Sequence, residues 1–235
     1  MTTEPLAPPP LRHALPLFFI AGLCLSSLDA TAKYLVHDNA LFLVVWARYA
    51  GQMLVATPFA WHRGGLGFWR TGKLTLQLVR STLLLVATVF FFGALRYLPL
   101  AEGSAINFLA PIFVVLLSGP LLGERPSPAR WAASIVGFVG VLIIIRPGSA
   151  IFHPAALLLI VTALCNALYL MLTRKLADES AYTTLFYSAL VGTVLLTLAL
   201  PWVWTPSIFS WRQGAPFLLL GLFAGAGHWF VIGAY

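Results

Sequence analysis

Asp29 and Arg48 stand inside long apolar runs, LCLSSLDATAKYL and LFLVVWARYAGQM, where a charge has no water to solvate it. An ionisable group at the centre of a membrane span costs about 2.5–3.5 kcal/mol on insertion scales, so it normally faces a partner, a ligand or a wet cavity. Two chemistries suit this pair. In one, Arg48 meets a carboxylate while Asp29 meets an amine or exchanges a proton. In the other, the two pair with each other and lock neighbouring helices. Lys33, one turn after Asp29, can join it at i,i+4, although its place near a helix end favours snorkelling to the surface.

Uncharged polar and aromatic groups occupy similar surroundings: Trp46, Tyr49, Phe90 to Phe92, Asn107 with Pro111, Asn166 with Tyr169, and His228 with Trp229. Pro111 has no N–H and can free a carbonyl beside Asn107, making a polar notch. Asn166 and Tyr169 are three apart and share a helix face. His228 titrates near neutral pH when unperturbed. Each also has a plainer reading: interhelical hydrogen bonds for the amides, packing for the histidine, lipid or interface contact for the aromatics. Arg80, early in its helix, reads as a snorkelling side chain. Glu102 suits the positive dipole end of a helix, and Glu124 with Arg125 fixes a loop. Ala129, Ala133 and Gly137, like Gly221 and Gly225, mark close helix packing.

Composition dictates the elements that position these groups. The chain is 60% hydrophobic and 9% charged, with mean hydropathy +0.91, against about a quarter charged in an ordinary soluble domain. A soluble core cannot absorb that much apolar surface. Runs bounded by Pro, Gly and charge predict eight helices, over 14–35, 40–61, 75–96, 100–122, 129–146, 155–173, 182–203 and 215 to the end. Each is expected to be long enough to cross a hydrocarbon core of about 30 Å, which takes roughly 20 residues, and the fifth is the shortest. The class is all-α integral membrane, with lipid as an obligatory partner. Asp29 and Arg48 flank the turn near His37 and Asp38 at similar distances, which sets them at similar depth.

Several functions are disfavoured. The net charge of +7 is scattered between apolar runs without a basic stripe, which argues against nucleic acid. Cys24 and Cys165 fit no metal-ligand spacing and read as packing residues. No HExxH, GxSxG or Walker A motif is visible, so no catalytic set, metal site, cofactor or nucleotide engine is expected. An enzyme and a channel are the weaker alternatives. Ala30-Thr31-Ala32 resembles a signal cleavage site, but the preceding apolar run is too long, and the first helix is expected to be retained behind a disordered tail over 1–13.

Internal similarity organises the chain. A shift of 141 residues carries Cys24 to Cys165, Lys33 to Arg174, Leu35 to Leu176, Ala40 to Ala181, Gly51 to Gly192 and Trp61 to Trp202; a shift of 140 carries Phe90, Gly93 and Ala94 to Phe230, Gly233 and Ala234. The first unit, 14–148, holds five helices and the second, 149–235, holds three. A five-span unit forces its copy to enter the membrane upside down, the inverted-repeat plan in which a substrate path lies where the copies meet. The same offset predicts ten helices in all, eight of them present here. Loop charges divide eight to four in favour of a cytoplasmic N-terminus.

The stretch GALRYLPLAEGSAINFLAPIFVVLLSGPLLGERPSPARWAASIVGFVGVLIIIRPG, Gly93 to Gly148, resembles the third to fifth helices of the EamA family in the drug/metabolite transporter superfamily, and SSLDATAKYL, Ser26 to Leu35, resembles the first helix of bacterial members. The resemblance implies a bacterial inner-membrane secondary carrier that moves amino acids or related organic solutes by alternating access, with proton coupling as an option. A non-transporting remnant is the alternative that an incomplete second repeat leaves open. Under this reading the substrate-binding or coupling residues are Asp29, Trp46, Arg48, Tyr49, Asn107, Asn166, Tyr169 and His228.

Overall fold

The computed structural model describes residues 11–123, 126–145, 153–203 and 211–233. Most of the expected tail, Glu124, Arg125 and Arg146 lie outside the described residues. The helices are α1 Leu11–Asp38, α2 Leu41–Gly64, α3 Leu74–Leu95, α4 Leu100–Asn107, α5 Ala110–Leu122, α6 Pro128–Ile145, α7 Ala156–Lys175, α8 Ala181–Val203 and α9 Trp211–Gly233, with a short 3₁₀ turn at Gly65–Gly67. Among the described residues, five segments are long and apolar enough to cross a membrane: Leu15–Asp38, Leu74–Leu95, Leu100–Leu121, Ala156–Lys175 and Ala181–Trp202. The outer faces are apolar, with Leu54 77% and Val136 72% exposed, as lipid requires and water would penalise. The chain is an all-helical integral membrane protein.

The eight expected helical segments are present, but the fourth is broken. Residues 100–122 form two helices, separated at Phe108 and Leu109. Pro111 has no N–H for the carbonyl of Asn107 and clashes with a continuing helix, so the chain restarts at Ala110 with proline in the first turn, where its missing donor costs nothing.

Packing departs from the simple hairpin picture. Although α1 and α2 are joined by a tight turn, they meet only sparsely; α1 packs along α9, α2 along α8 and α9, and α3 along α7 and α8. If α1, α2 and α3 are exchanged for α7, α8 and α9, these contacts map onto one another, the relation an inverted repeat demands. The crossing of α2 and α9 is close. A Cβ on Gly221 would stand 2.7 Å from the Cα of Gly51, and one on Gly225 would meet Val55 at 2.6 Å. Gly192 gives way in the same manner to the ring of Tyr49, which is fully buried.

At the end of the bundle carrying Asn39, two basic side chains bind helix termini reciprocally. Lys33 Nζ donates to the carbonyls of Leu95 and Leu98, both at 2.8 Å. Arg96 donates to Val36 at 2.7 Å and Asn39 at 2.8 Å. Each cation therefore satisfies the orphan carbonyls of the other's helix, where the dipole favours positive charge. Lys33 neither pairs with Asp29 nor snorkels, because the end of α3 lies within its reach.

At the opposite end, Lys73 Nζ lies 2.6 Å from Oδ1 and 2.7 Å from Oδ2 of Asp178 and also donates to Lys175 O, tying the start of α3 to the α7–α8 turn. The hydrogen bond from Lys73 holds the exposed Asp178 carboxyl below its ordinary value. A depressed carboxylate keeps its contribution above the ordinary value and loses it as pH falls through the lowered one. Asp178→Asn should thus loosen this end relative to the parent at neutral pH, and the two should converge as acidification below the ordinary carboxylate range removes the contribution from the parent. Amide exchange of residues 66–73 measures both; equal exchange in parent and variant at neutral pH would refute the link. The pair is exposed, so added salt should shrink the difference.

Candidate functional site

A cavity of about 250 Å³ lies within the bundle, and its polar lining is Asp29, Arg48, Thr88, Asn107, Thr162, Asn166 and His228, with Phe91 and Phe92 among the apolar walls. These groups come from α1, α2, α3, α4, α7 and α9, so both halves of the repeat contribute. Five of the eight residues selected from sequence meet here: Asp29, Arg48, Asn107, Asn166 and His228.

Arg48 is 5% exposed, and its Nη1 has no hydrogen-bond partner. Its guanidinium carbon lies 4.4 Å from the centroid of the Tyr49 ring, a cation–π contact that offsets part of the desolvation without neutralising the charge. Asp29 lines the same cavity, but no ion pair joins it to Arg48. The clamp reading of Asp29 and Arg48 therefore lacks its contact. What remains is a buried cation with a free donor and a nearby carboxylate, facing a space that can hold a solute.

The amides are partly committed. Asn166 Nδ2 donates to Asn107 Oδ1 at 2.9 Å, joining α7 to the broken fourth span. His228 Nδ1 is 2.8 Å from the carbonyl of Ala224. Since a carbonyl only accepts, Nδ1 carries the proton and Nε2 is left as an acceptor. Tyr49 sits behind Arg48. Its hydroxyl is 3.1 Å from Thr88 Oγ1, which itself donates to Leu84 O, so Tyr49 donates and is satisfied.

The other two selected residues lie elsewhere. Trp46 donates from Nε1 to Thr197 Oγ1 at 2.9 Å, so its ring faces α8 and lines neither described cavity. Tyr169 lines a second cavity, of about 540 Å³, together with Arg80, Thr173, Thr184 and Ser188; His228 lines both. Arg80 is the clearest correction. It is 4% exposed and hydrogen-bonded on every side, so it does not snorkel. Sequence reasoning also missed Thr88 and Thr162. Both hydroxyls bond back to their own helices, at Leu84 and Leu158, which makes them look like packing residues until the helices are assembled.

Comparison with known proteins is consistent with this geometry. A family model described as the EamA-like transporter family matches residues 13–146. The chain is 29% identical to an S-adenosylmethionine uptake transporter of Rickettsia prowazekii, over 82% of this chain and 66% of the relative. It is 30% identical to a riboflavin transporter of Rhizobium johnstonii, over 92% of this chain and 72% of the relative. A solved crystal structure superposes with a TM-score of 0.71 at 24% identity, covering 94% of this chain and 79% of the other, which shows the fold. The match to the rickettsial protein thus spans just under two thirds of that relative's length.

Proposed function

Because this chain belongs to the EamA-like transporter family, we propose that it is a secondary carrier of small metabolites, with the cavity of Asp29 and Arg48 as its substrate site. One observation carries the reading: Arg48 is a buried cation with an unpartnered nitrogen, facing a cavity that also offers a carboxylate. Such a group is retained at membrane depth for a ligand more readily than for stability, because it costs stability to keep. A zwitterion answers both charges, its carboxylate at Arg48 and its ammonium at Asp29. The 250 Å³ volume falls below the range of about 300–1,000 Å³ for pockets of drug-sized ligands, so the solute is of amino-acid size. Relatives named for S-adenosylmethionine and riboflavin support a metabolite as the class of cargo.

The repeats, 14–148 and 149–235, supply the two halves that rock about this site in alternating access, a reading supported by the exchange of contacts between α1–α3 and α7–α9. The protein resides in the bacterial inner membrane with its N-terminus in the cytoplasm. Accordingly, a cysteine at Leu66 should react only with a membrane-permeant reagent and one at Tyr97 with an impermeant one, both positions being exposed; the reverse pattern inverts the topology. Coupling to protons falls to Asp29, so Asp29→Asn should remove any pH dependence of uptake.

The direct test is uptake by proteoliposomes across a panel of labelled amino acids, amines and organic acids. Saturable uptake of a carboxylate-bearing member is expected. Uptake that rises linearly with concentration for every member would indicate a pore and defeat the proposal.

A further inference from the structure

We propose that the second cavity, built around Arg80, is a separate binding station for the carboxylate group of the transported solute. The inference rests on the carrier reading for the identity of the solute, but the site stands on its own geometry.

Arg80 lies six residues into α3, about 9 Å from its start. Thr173 is near the end of α7, and Thr184 and Ser188 are in the first two turns of α8. The cavity therefore lies toward the Gly65 end of the bundle, whereas Asp29 and Arg48 belong to the half nearer Asn39. Arg80 donates from Nε to Thr173 Oγ1 at 2.6 Å, from Nη1 to Ser188 Oγ at 2.8 Å, and from Nη2 to the Tyr169 hydroxyl at 2.7 Å. All of these partners are neutral. With a longer bond from Nη1 to Thr184 O at 3.4 Å, four of its five N–H groups are donated, yet among the described residues no carboxylate pairs with its charge.

The hydroxyls orient the site further. Thr173 and Ser188 give their protons to the carbonyls of Tyr169 and Thr184, so each accepts from Arg80 as it must. Tyr169 also accepts from Arg80, which leaves its own O–H as a donor at the cavity lining. A fixed cation beside a phenolic donor is an anion receptor in a space of about 540 Å³, roomier than the first. Glu179, on the same lining, can answer an ammonium. Arg174 lines this cavity too, so it offers two bases and one acid where the first offers one of each, and His228 borders both. A zwitterion leaving Arg48 meets a cation and a carboxylate again at a different depth, in a more basic setting that favours its carboxylate end.

Labelling of the purified chain with phenylglyoxal, read at each arginine by peptide mass spectrometry, tests this without any transport assay. Acetate is the probe, and acetamide, of the same shape without the charge, is the control at matched ionic strength. Acetate should slow labelling of Arg80 about tenfold once it exceeds its dissociation constant about tenfold, and acetamide should not. Arg48→Gln should leave that protection intact, and Tyr169→Phe should weaken it while sparing protection at Arg48. Equal rates in acetate and acetamide, an Arg80 that never reacts in the folded chain, or protection that vanishes with Arg48→Gln would each overturn the second station. Protection at Arg80 without protection at Arg48 would instead overturn the central site and leave this one standing.

Discussion

Arg48→Gln is expected to make the folded chain more resistant to unfolding while abolishing useful transport. The side chain is buried, stacked on Tyr49, and lacks an ion-pair partner, so in the empty carrier its charge is a liability. Removing a charge from the centre of a span recovers up to about 2.5–3.5 kcal/mol on insertion scales. The same change deletes a charge-assisted hydrogen bond to the substrate carboxylate, about 1.5–3 kcal/mol, which is about ten- to hundredfold in affinity. Thermal unfolding in detergent and concentration-dependent uptake would read the two effects on one preparation. If Arg48 were only a structural group, its removal would destabilise the chain, and a variant with lower stability but unchanged affinity would defeat the site. The double change with Asp29→Asn should fold and remain inactive, because no ion pair exists to be rescued.

The second large effect belongs to the crossing of α2 and α9. Gly51→Ala and Gly221→Ala each drive a methyl group into the opposing backbone, where no side chain can rotate away. Overpacking in a tight contact costs about 1–3 kcal/mol and occasionally more, and a backbone obstacle puts these substitutions at the upper end. Gly225→Ala is a built-in contrast, since its methyl meets the side chain of Val55 and not main chain. Pairing it with Val55→Gly, which removes the Cβ that stands 2.6 Å away as well as both methyl groups, should therefore recover folded yield, while no second substitution at the Gly51–Gly221 contact can do so. Melting temperatures in detergent for the three single variants and the rescued pair decide the matter; a Gly221→Ala variant as stable as the parent would mean that the helices do not cross this closely.

Helix limits were legible because each apolar run is bounded by charge, Pro or Gly, and the observed ends agree with the expected ones to within four residues. The first cavity was legible in outline for a related reason: Asp29, Arg48, Asn107, Asn166 and His228 are polar groups that apolar spans tolerate only for cause. Arg80 misled for the opposite reason. Six residues from a helix end, a long cation can reach the surface, and only α7 and α8, about a hundred positions away in sequence, enclose it. Trp46 belongs to the same class, as its indole is claimed by Thr197. The sparse contact between α1 and α2 was equally hidden, because a short turn fixes where two helices begin and not how far they stay together.

The interruption of the fourth span makes that span a crank. Its arms have 8 and 13 residues, about 12 and 20 Å long, and neither alone crosses the hydrocarbon core. At the elbow, Phe108 and Leu109 already bond three residues back, to Ala105 and Ile106, and Pro111 has no N–H to lose. The angle between the arms can therefore change without breaking a regular helical hydrogen bond. Asn107 stands at this elbow, holding the amide of Asn166 across the first cavity. Under the proposed carrier function, a solute that took that amide would free Asn107 and, with it, the angle between the two arms.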